Sequence, residues 1–300
     1  STDVSSDPKQ IQQQVDKALA SVNQLASTYQ SDSEISVINQ APANLEIQLS
    51  PEFDQMLRRL WQLNSDTGGY FDPSVGPLVN LYGFGPLGPK KVPTDEELKH
   101  AQSATGLQNF ELFKNKSVIL KKRQEAYLDF SASAKGYGVD KVVEALEKLG
   151  ITRAMVEIGG EIRTLGAGPQ SGGFWHLAIE EPLEDGRSIH SVIKVKAVSM
   201  ATSGDYRNYY TYKEKRFSHT IDPLTGKVIE HSLASVSVLG LKNCEEADAW
   251  ATALNAMGEV KALEFAESRK IPAYFIIRNG QNSAGFVVKS TSRWNELTKI

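Results

Sequence analysis

Asp248 and Thr252 stand four residues apart in Ala247-Asp248-Ala249-Trp250-Ala251-Thr252-Ala253-Leu254, which puts them on one face of a helix. A carboxylate and a hydroxyl are hard oxygen donors of the kind Mg²⁺ takes while it keeps waters or substrate phosphates. The same pair also suits a structural use, an Asp near the helix start complementing the dipole and a Thr bonding back along the helix. As a metal ligand Asp248 is expected on the helix surface, outside the core, where its removal costs the fold little. His219, in Ser218-His219-Thr220-Ile221-Asp222-Pro223, precedes a turn marked by Asp222-Pro223 and Thr225-Gly226. An imidazole there either accepts a proton near neutral pH or stabilises the turn. Asp129-Phe130-Ser131-Ala132-Ser133-Ala134-Lys135-Gly136-Tyr137-Gly138 reads as a strand entering a helix. Amides at such a junction attract anions and Lys135 suits a phosphate, although a plain capped turn looks the same.

Two further clusters have weaker signals. Glu157 and Glu161 flank Gly159-Gly160. An extended backbone would aim both carboxylates to one side, as in a paired-carboxylate hydrolase; a break at the glycines, or pairing with Arg163, would end that reading. From Gly68 to Pro86, glycines alternate with Tyr70, Phe71, Tyr82 and Phe84. A planar ring could lie on such a loop, or the loop could close a small core of its own.

The elements that must position these groups are well signalled. Helices are predicted over Ile11 to Leu25, from the Ser50-Pro51 cap to Gly68-Gly69, and from the Thr94/Glu97 capping box to Gly106. Two more run from Val139 to Leu149 and, as one long helix, from about Glu245 towards Ser268. Strands are predicted at 117–120, 126–130, 153–158, 176–180, 189–198, 235–239, 273–277 and 285–288. Helices and strands mix without a βαβ repeat, so the fold class is α+β, with mixed β-sheets and packed helices. No Pro/Ser linker or repeat divides residues 1–300, which read as a single catalytic domain with room for two lobes.

Composition narrows the function. The 300 residues carry 33 basic and 36 acidic side chains, net −3, which argues against binding nucleic acid by bulk charge. No stretch is apolar enough for a membrane span. Cys244 is the sole cysteine, so neither an internal disulfide nor a cysteine zinc cluster can form. No P-loop, complete dinucleotide fingerprint, HExxH, GxSxG or EF-hand loop occurs. The chain starts at Ser1 with a polar lead-in and reads as a processed or trimmed product.

Taken in register, these segments resemble the ApbE-type flavin transferase family, the FAD:protein FMN transferases. The likeness is carried by Ser27-Thr28-Tyr29 with Ser33-Glu34-Ile35-Ser36, Phe71-Asp72-Pro73 to Gly85-Pro86, Asp129 to Gly138, Glu157 to Glu161, Thr202 to Asn208, Ser218 to Pro223 and Ala247 to Leu254. It implies that FAD, as substrate with Mg²⁺, is split at its pyrophosphate. FMN moves to a Thr or Ser hydroxyl of an acceptor protein through a phosphoester bond, and AMP leaves. It further implies FAD contacts from Tyr29, Tyr70, Phe71, Asp72, Asp129, Lys135 and Ile221, and metal ligation by the Ala132 carbonyl, Asp248 and Thr252. His219 would be the base, preferred to His231 because only its segment matches. Implied partners are FMN-accepting subunits of membrane redox complexes, with a periplasmic location and a precursor lipid-anchored to the inner membrane. Relatives usually open with a strand carrying a Gly-Thr-Met-Gly-Thr-like motif, a segment expected to be missing ahead of Ser1. Its loss leaves the adenine side of an FAD site incomplete or supplied by another part of the chain. Some relatives have an acidic residue where this chain has Ala251, and Glu where it has Lys135. Two rival readings stand beside transfer: a metal-dependent FAD pyrophosphatase and a non-enzymatic FAD-binding protein.

Overall fold

A computed structural model describes residues 7–183, 185–240, 243–279 and 285–298. The fold is α+β, with all described strand pairs antiparallel. Residues 1–22, 133–207 and 230–300 make one compact unit, and 23–132 with 208–229 make a second. Among the described residues no helix is long and apolar enough to cross a membrane.

The first unit centres on a six-stranded sheet ordered Phe286–Ser290, Ala273–Arg278, Leu233–Leu239, Ser199–Gly204, Glu161–Leu165, Ala154–Ile158. Leu233–Leu239 is buried at every residue, because the sheet is covered on both faces. The Cys244–Met257 helix packs against it and against Ser199–Gly204. Elsewhere Met200, Leu239 and Ile276 join Leu177, Ile179, Ile193 and Val195 from the ribbon of Trp175–Glu180 and Ile189–Val195. The Ser131–Lys148 helix contributes Val142 and Leu146, which meet Ile11 and Val15 of the Pro8–Ala26 helix and so use the one-sided pattern read from the sequence.

Two residues fix how the Ser131–Lys148 helix meets the start of Cys244–Met257. A Cβ at Gly136 would fall 2.3 Å from the Cys244 carbonyl oxygen, so only glycine permits the approach. One turn on, the buried Asp140 accepts the amides of Cys244 and Glu245 at 2.9 Å and pairs with Arg163 at 2.5 Å. A carboxylate of one helix thereby satisfies amides that the other leaves open. Asp140→Ala is expected to cost about 2–4 kcal/mol, the loss of a cap plus a partly exposed ion pair. Urea unfolding measures it, and a midpoint unchanged from the parent would show that the cap carries little.

The second unit has a small sheet with Val118–Lys121 between Glu46–Gln48 and Phe110–Leu112. The unit also holds helices Glu34–Gln40, Pro51–Asp66, Gly76–Leu81 and Asp95–Ala104, the last two packed on each other. Ser50 caps the second of these, and Thr94 with Glu97 forms the expected capping box on the last. Hairpins of Tyr209–Tyr212 with Lys215–Ser218 and Ile221–Asp222 with Lys227–Val228 complete the unit. Their Phe217, Ile221 and Val228 are buried with Leu78, Tyr82 and Ala101.

Three expectations are corrected. Residues 126–130 form no strand: the Asn39 side chain takes both backbone groups of Leu128, at 2.7 and 2.9 Å, and the Asp129 amide donates to the Pro73 carbonyl at 2.8 Å. Those groups are satisfied without a ladder partner. The long C-terminal helix is two, Cys244–Met257 and Glu259–Ser268, parted at Gly258, whose φ of 75° a side chain rarely adopts. The predicted strand 189–198 stops at Val195, and a separate strand starts at Ser199.

Candidate active site

In the first unit, four of the singled-out groups lie on two helices and a hairpin. Asp248 and Thr252 stand on Cys244–Met257 and Lys135 on Ser131–Lys148, while Glu161 opens the strand after the Gly159-Gly160 turn. Both turn glycines have positive φ, 64° and 105°, and this reverses the chain so that Glu157 and Glu161 do not share a side. Glu157 is exposed and accepts the Gly160 amide at 2.8 Å, whereas Glu161 is 1 % exposed. The paired-carboxylate hydrolase is thereby excluded for this pair. Lys135 Nζ lies 2.5 Å from Glu161 Oε1 and 3.8 Å from Asp248 Oδ1.

Asp248 is buried, at 3 % exposure, which corrects its placement on the helix surface. The Cys244–Met257 helix is covered almost all round, so it has no polar face to leave in water. Asp248 Oδ2 accepts the Gly136 amide at 3.1 Å. In a regular helix that amide donates to the carbonyl four residues back, here Ala132 in the first turn of the same helix. The Gly136 amide therefore has an acceptor other than the Ala132 carbonyl.

The second unit holds the remaining residues. Tyr29 is 74 % exposed, Tyr70 is half-buried, and Phe71 is buried with its carbonyl accepting from Asn64. The Phe71 ring is thus part of the core. Asp72 Oδ1 accepts both the amide and the hydroxyl of Ser74, at 2.8 and 2.6 Å, and burial still raises its pKa. Asp129 is buried and takes the Ser131 amide at 2.8 Å. The Ile221 side chain is committed to the core cluster.

His219 follows the last pair of its hairpin, Ser218 opposite Tyr209, and so lies across from Asn208. The Asn208 carbonyl accepts the His219 backbone amide at 3.0 Å and lies 3.1 Å from Nδ1, and the ring meets Phe84 edge-on. A carbonyl only accepts, so Nδ1 carries the hydrogen and the neutral ring has its lone pair on Nε2. His231 is held the other way round. Its Nε2 donates to the Asn255 carbonyl at 2.7 Å, and its Nδ1 is buried without a partner among the described residues. The basic nitrogen of His231 is out of reach of a substrate.

The ApbE family profile matches residues 1–275. An FAD:protein FMN transferase of Haemophilus influenzae is 43% identical over 292 residues, 96% of this chain and 83% of that protein. The chain belongs to the ApbE family. A flavin transferase ApbE structure from Vibrio cholerae superposes with a TM-score of 0.86 at 40% identity, covering 97% of this chain and 91% of the other. A flavinyl transferase ApbE of Pseudomonas stutzeri gives 0.86 at 35%, covering 98% and 89%.

Whether this ApbE-family chain suits a divalent cation is answered by its charges. Two buried carboxylates face one ammonium, and Glu161 Oε2 is buried without a hydrogen-bond partner among the described residues. Unbalanced buried anionic oxygen fits a hard cation. Among the described residues no three of His, Cys, Asp and Glu converge, so carbonyl, hydroxyl and water oxygens must supply the other ligands. Burial, then the Asp248 charge, raises the Glu161 carboxyl to about 7, and burial raises Asp248 to about 6 despite Lys135. Burial pulls the Lys135 ammonium down, but Asp248 and Glu161 more than offset it and the net shift is upward.

A pH dependence follows. Both carboxyls bind protons more tightly folded than unfolded, so the metal-free chain has their full stability below about pH 4 and loses it as pH rises through 6 to 7. In EDTA, Tm is expected to fall between about pH 5 and about pH 8, and to fall less in Glu161→Gln. An equal fall in both proteins would place the response elsewhere.

The sequence missed two residues here. Glu161 was visible only as half of a carboxylate pair, and its signal was the Gly-Gly turn that buries it. Asn39, which clamps Leu128, had the signal of a polar residue on the buried side of the Glu34–Gln40 helix, beside Ile35 and Ile38.

Proposed function

We propose that this chain is a Mg²⁺-dependent FAD:protein FMN transferase that esterifies a Thr or Ser hydroxyl of an acceptor protein with FMN and releases AMP. The observation that supports it most is the opposite orientation of the two candidate bases. His219 keeps Nε2 as the acceptor by giving its Nδ1 hydrogen to the Asn208 carbonyl, while His231 has its basic nitrogen buried. In the step proposed, the acceptor hydroxyl gives its proton to His219 Nε2 and its oxygen bonds to the FMN phosphorus. The bond from that phosphorus to the bridging oxygen breaks, and the electron pair leaves with AMP. A hydroxyl is a poor nucleophile at neutral pH, so a positioned base is needed.

The family likeness supports the remaining roles. Asp248, Thr252 and the Ala132 carbonyl would hold Mg²⁺, which when bound neutralises charge building on the phosphoryl oxygens. Lys135 offers a cation to the pyrophosphate. Tyr29 and Tyr70 offer rings to the flavin or adenine, with Asp72, Asp129 and the backbones of Phe71 and Ile221 completing the contacts. FMN-carrying subunits of membrane redox complexes are the proposed acceptors. A periplasmic, lipid-anchored form is the proposed native state, checked by fractionating cells that express the full gene.

The test is incubation with FAD, Mg²⁺ and a candidate acceptor domain, read by intact mass of the acceptor. A gain of one FMN supports transfer. Free AMP without that gain makes the chain a hydrolase, and FAD retention without either product makes it a binding protein.

A further inference from the structure

We propose that Glu161 belongs to the cation site as a second carboxylate facing Asp248, and that Lys135 is a displaceable cation holding their place until a divalent ion enters. The inference rests on the reading above that Asp248 binds the cation. Glu161 is 1 % exposed and opens a strand pinned by the pairing of Ile158 with Glu161, so its carboxylate is held in place. One oxygen, Oε1, takes Lys135 Nζ at 2.5 Å, and the same Nζ stands 3.8 Å from Asp248 Oδ1. The other oxygen, Oε2, is buried with no hydrogen-bond partner among the described residues.

A residue that merely anchors Lys135 needs one oxygen and has no reason to be fully desolvated, since burying a carboxylate is costly. Charge balance points the same way. Two ionised carboxylates against one ammonium leave one negative charge over, whereas a divalent ion in place of that ammonium balances them. The Lys135 side chain is 46% exposed, so it can withdraw without crossing the core, and its repulsion from a divalent ion would drive it out. The freed ammonium is then available to an anionic group of a bound ligand.

The test uses the full chain without FAD or acceptor, titrated with Mn²⁺, whose oxygen preference matches the site. The free hexaaquo ion is counted by electron paramagnetic resonance. Glu161→Gln is expected to weaken Mn²⁺ binding roughly 10–100-fold. Lys135→Met is expected to tighten it about tenfold by removing a nearby like charge. Glu161→Gln should still weaken binding in the Lys135→Met background. Wild-type affinity in a folded Glu161→Gln chain overturns the proposal. So does a loss that vanishes in that background, which would make Glu161 only an anchor for Lys135. If Glu161→Gln does not fold, Lys135→Met decides alone, and unchanged or weaker binding overturns the proposal. Asp248→Asn separates the two levels. If it binds Mn²⁺ like the parent, the cation reading itself fails; if it does not bind while folded Glu161→Gln binds with the parent's affinity, only the role of Glu161 fails.

Discussion

His219→Ala is expected to label an acceptor about 10²–10⁴-fold more slowly than the parent, the usual cost of losing a general base. FAD binding should hardly change. The imidazole is fixed by Asn208, across its own hairpin, and by Phe84 of the 68–86 segment, and its proposed work is confined to the moment the acceptor hydroxyl loses its proton. An interaction of that kind lowers the rate constant without weakening ground-state binding. Flavin fluorescence titration measures binding, and single-turnover labelling followed by mass measures rate. Labelling at the parental rate would remove His219 from the chemistry. Loss of FAD binding together with labelling would make it a pocket residue, and His231 could replace it only if its buried Nδ1 became accessible.

Asp248→Asn is the second large effect. The amide keeps an oxygen for the Gly136 N–H but gives up the charge, so the proposed Mg²⁺-dependent turnover should fall by at least about 10³-fold, equivalent to several kcal/mol of lost charge stabilisation. Stability should move the opposite way. Removing one of two buried carboxylates that share a single ammonium relieves the metal-free chain, so its Tm in EDTA near neutral pH should equal or exceed that of the parent. Raised stability with lost turnover identifies a residue kept for function at a cost to the fold. Full turnover at limiting Mg²⁺ would place the cation elsewhere, and a large drop in Tm would mean that Asp248 chiefly supports the helix.

How far these results were legible in the sequence varied with how local the signal was. Ser50-Pro51 and Thr94/Glu97 announced helix starts because a cap is built from adjacent residues. The Asp222-Pro223 turn was readable for the same reason, since Asp222 satisfies the amide of Leu224 and the hydroxyl of Thr225 itself. Residues 126–130 misled because their strand-like pattern is held by Asn39, a side chain far away in sequence. Asp248 looked like a surface residue because helical spacing shows which residues share a face, not whether that face is covered. The preference for His219 over His231 came from segment matching alone; which ring nitrogen meets a carbonyl is information that no residue type or spacing carries.

The order in which the chain is made has a consequence for its biogenesis. Leu78, Tyr82 and Ala101 are buried with Phe217, Ile221 and Val228, and the latter three come from residues 208–229, the late portion of a unit whose remainder spans 23–132. As the polypeptide emerges from the ribosome, the early portion has to wait, with these apolar groups uncovered, while residues 133–207 are synthesised. A nascent chain of this design is exposed to holdase chaperones for longer than one whose modules close in turn. Premature termination anywhere before the His219 hairpin would leave a fragment that cannot seal that core, making it a ready target for quality-control proteases.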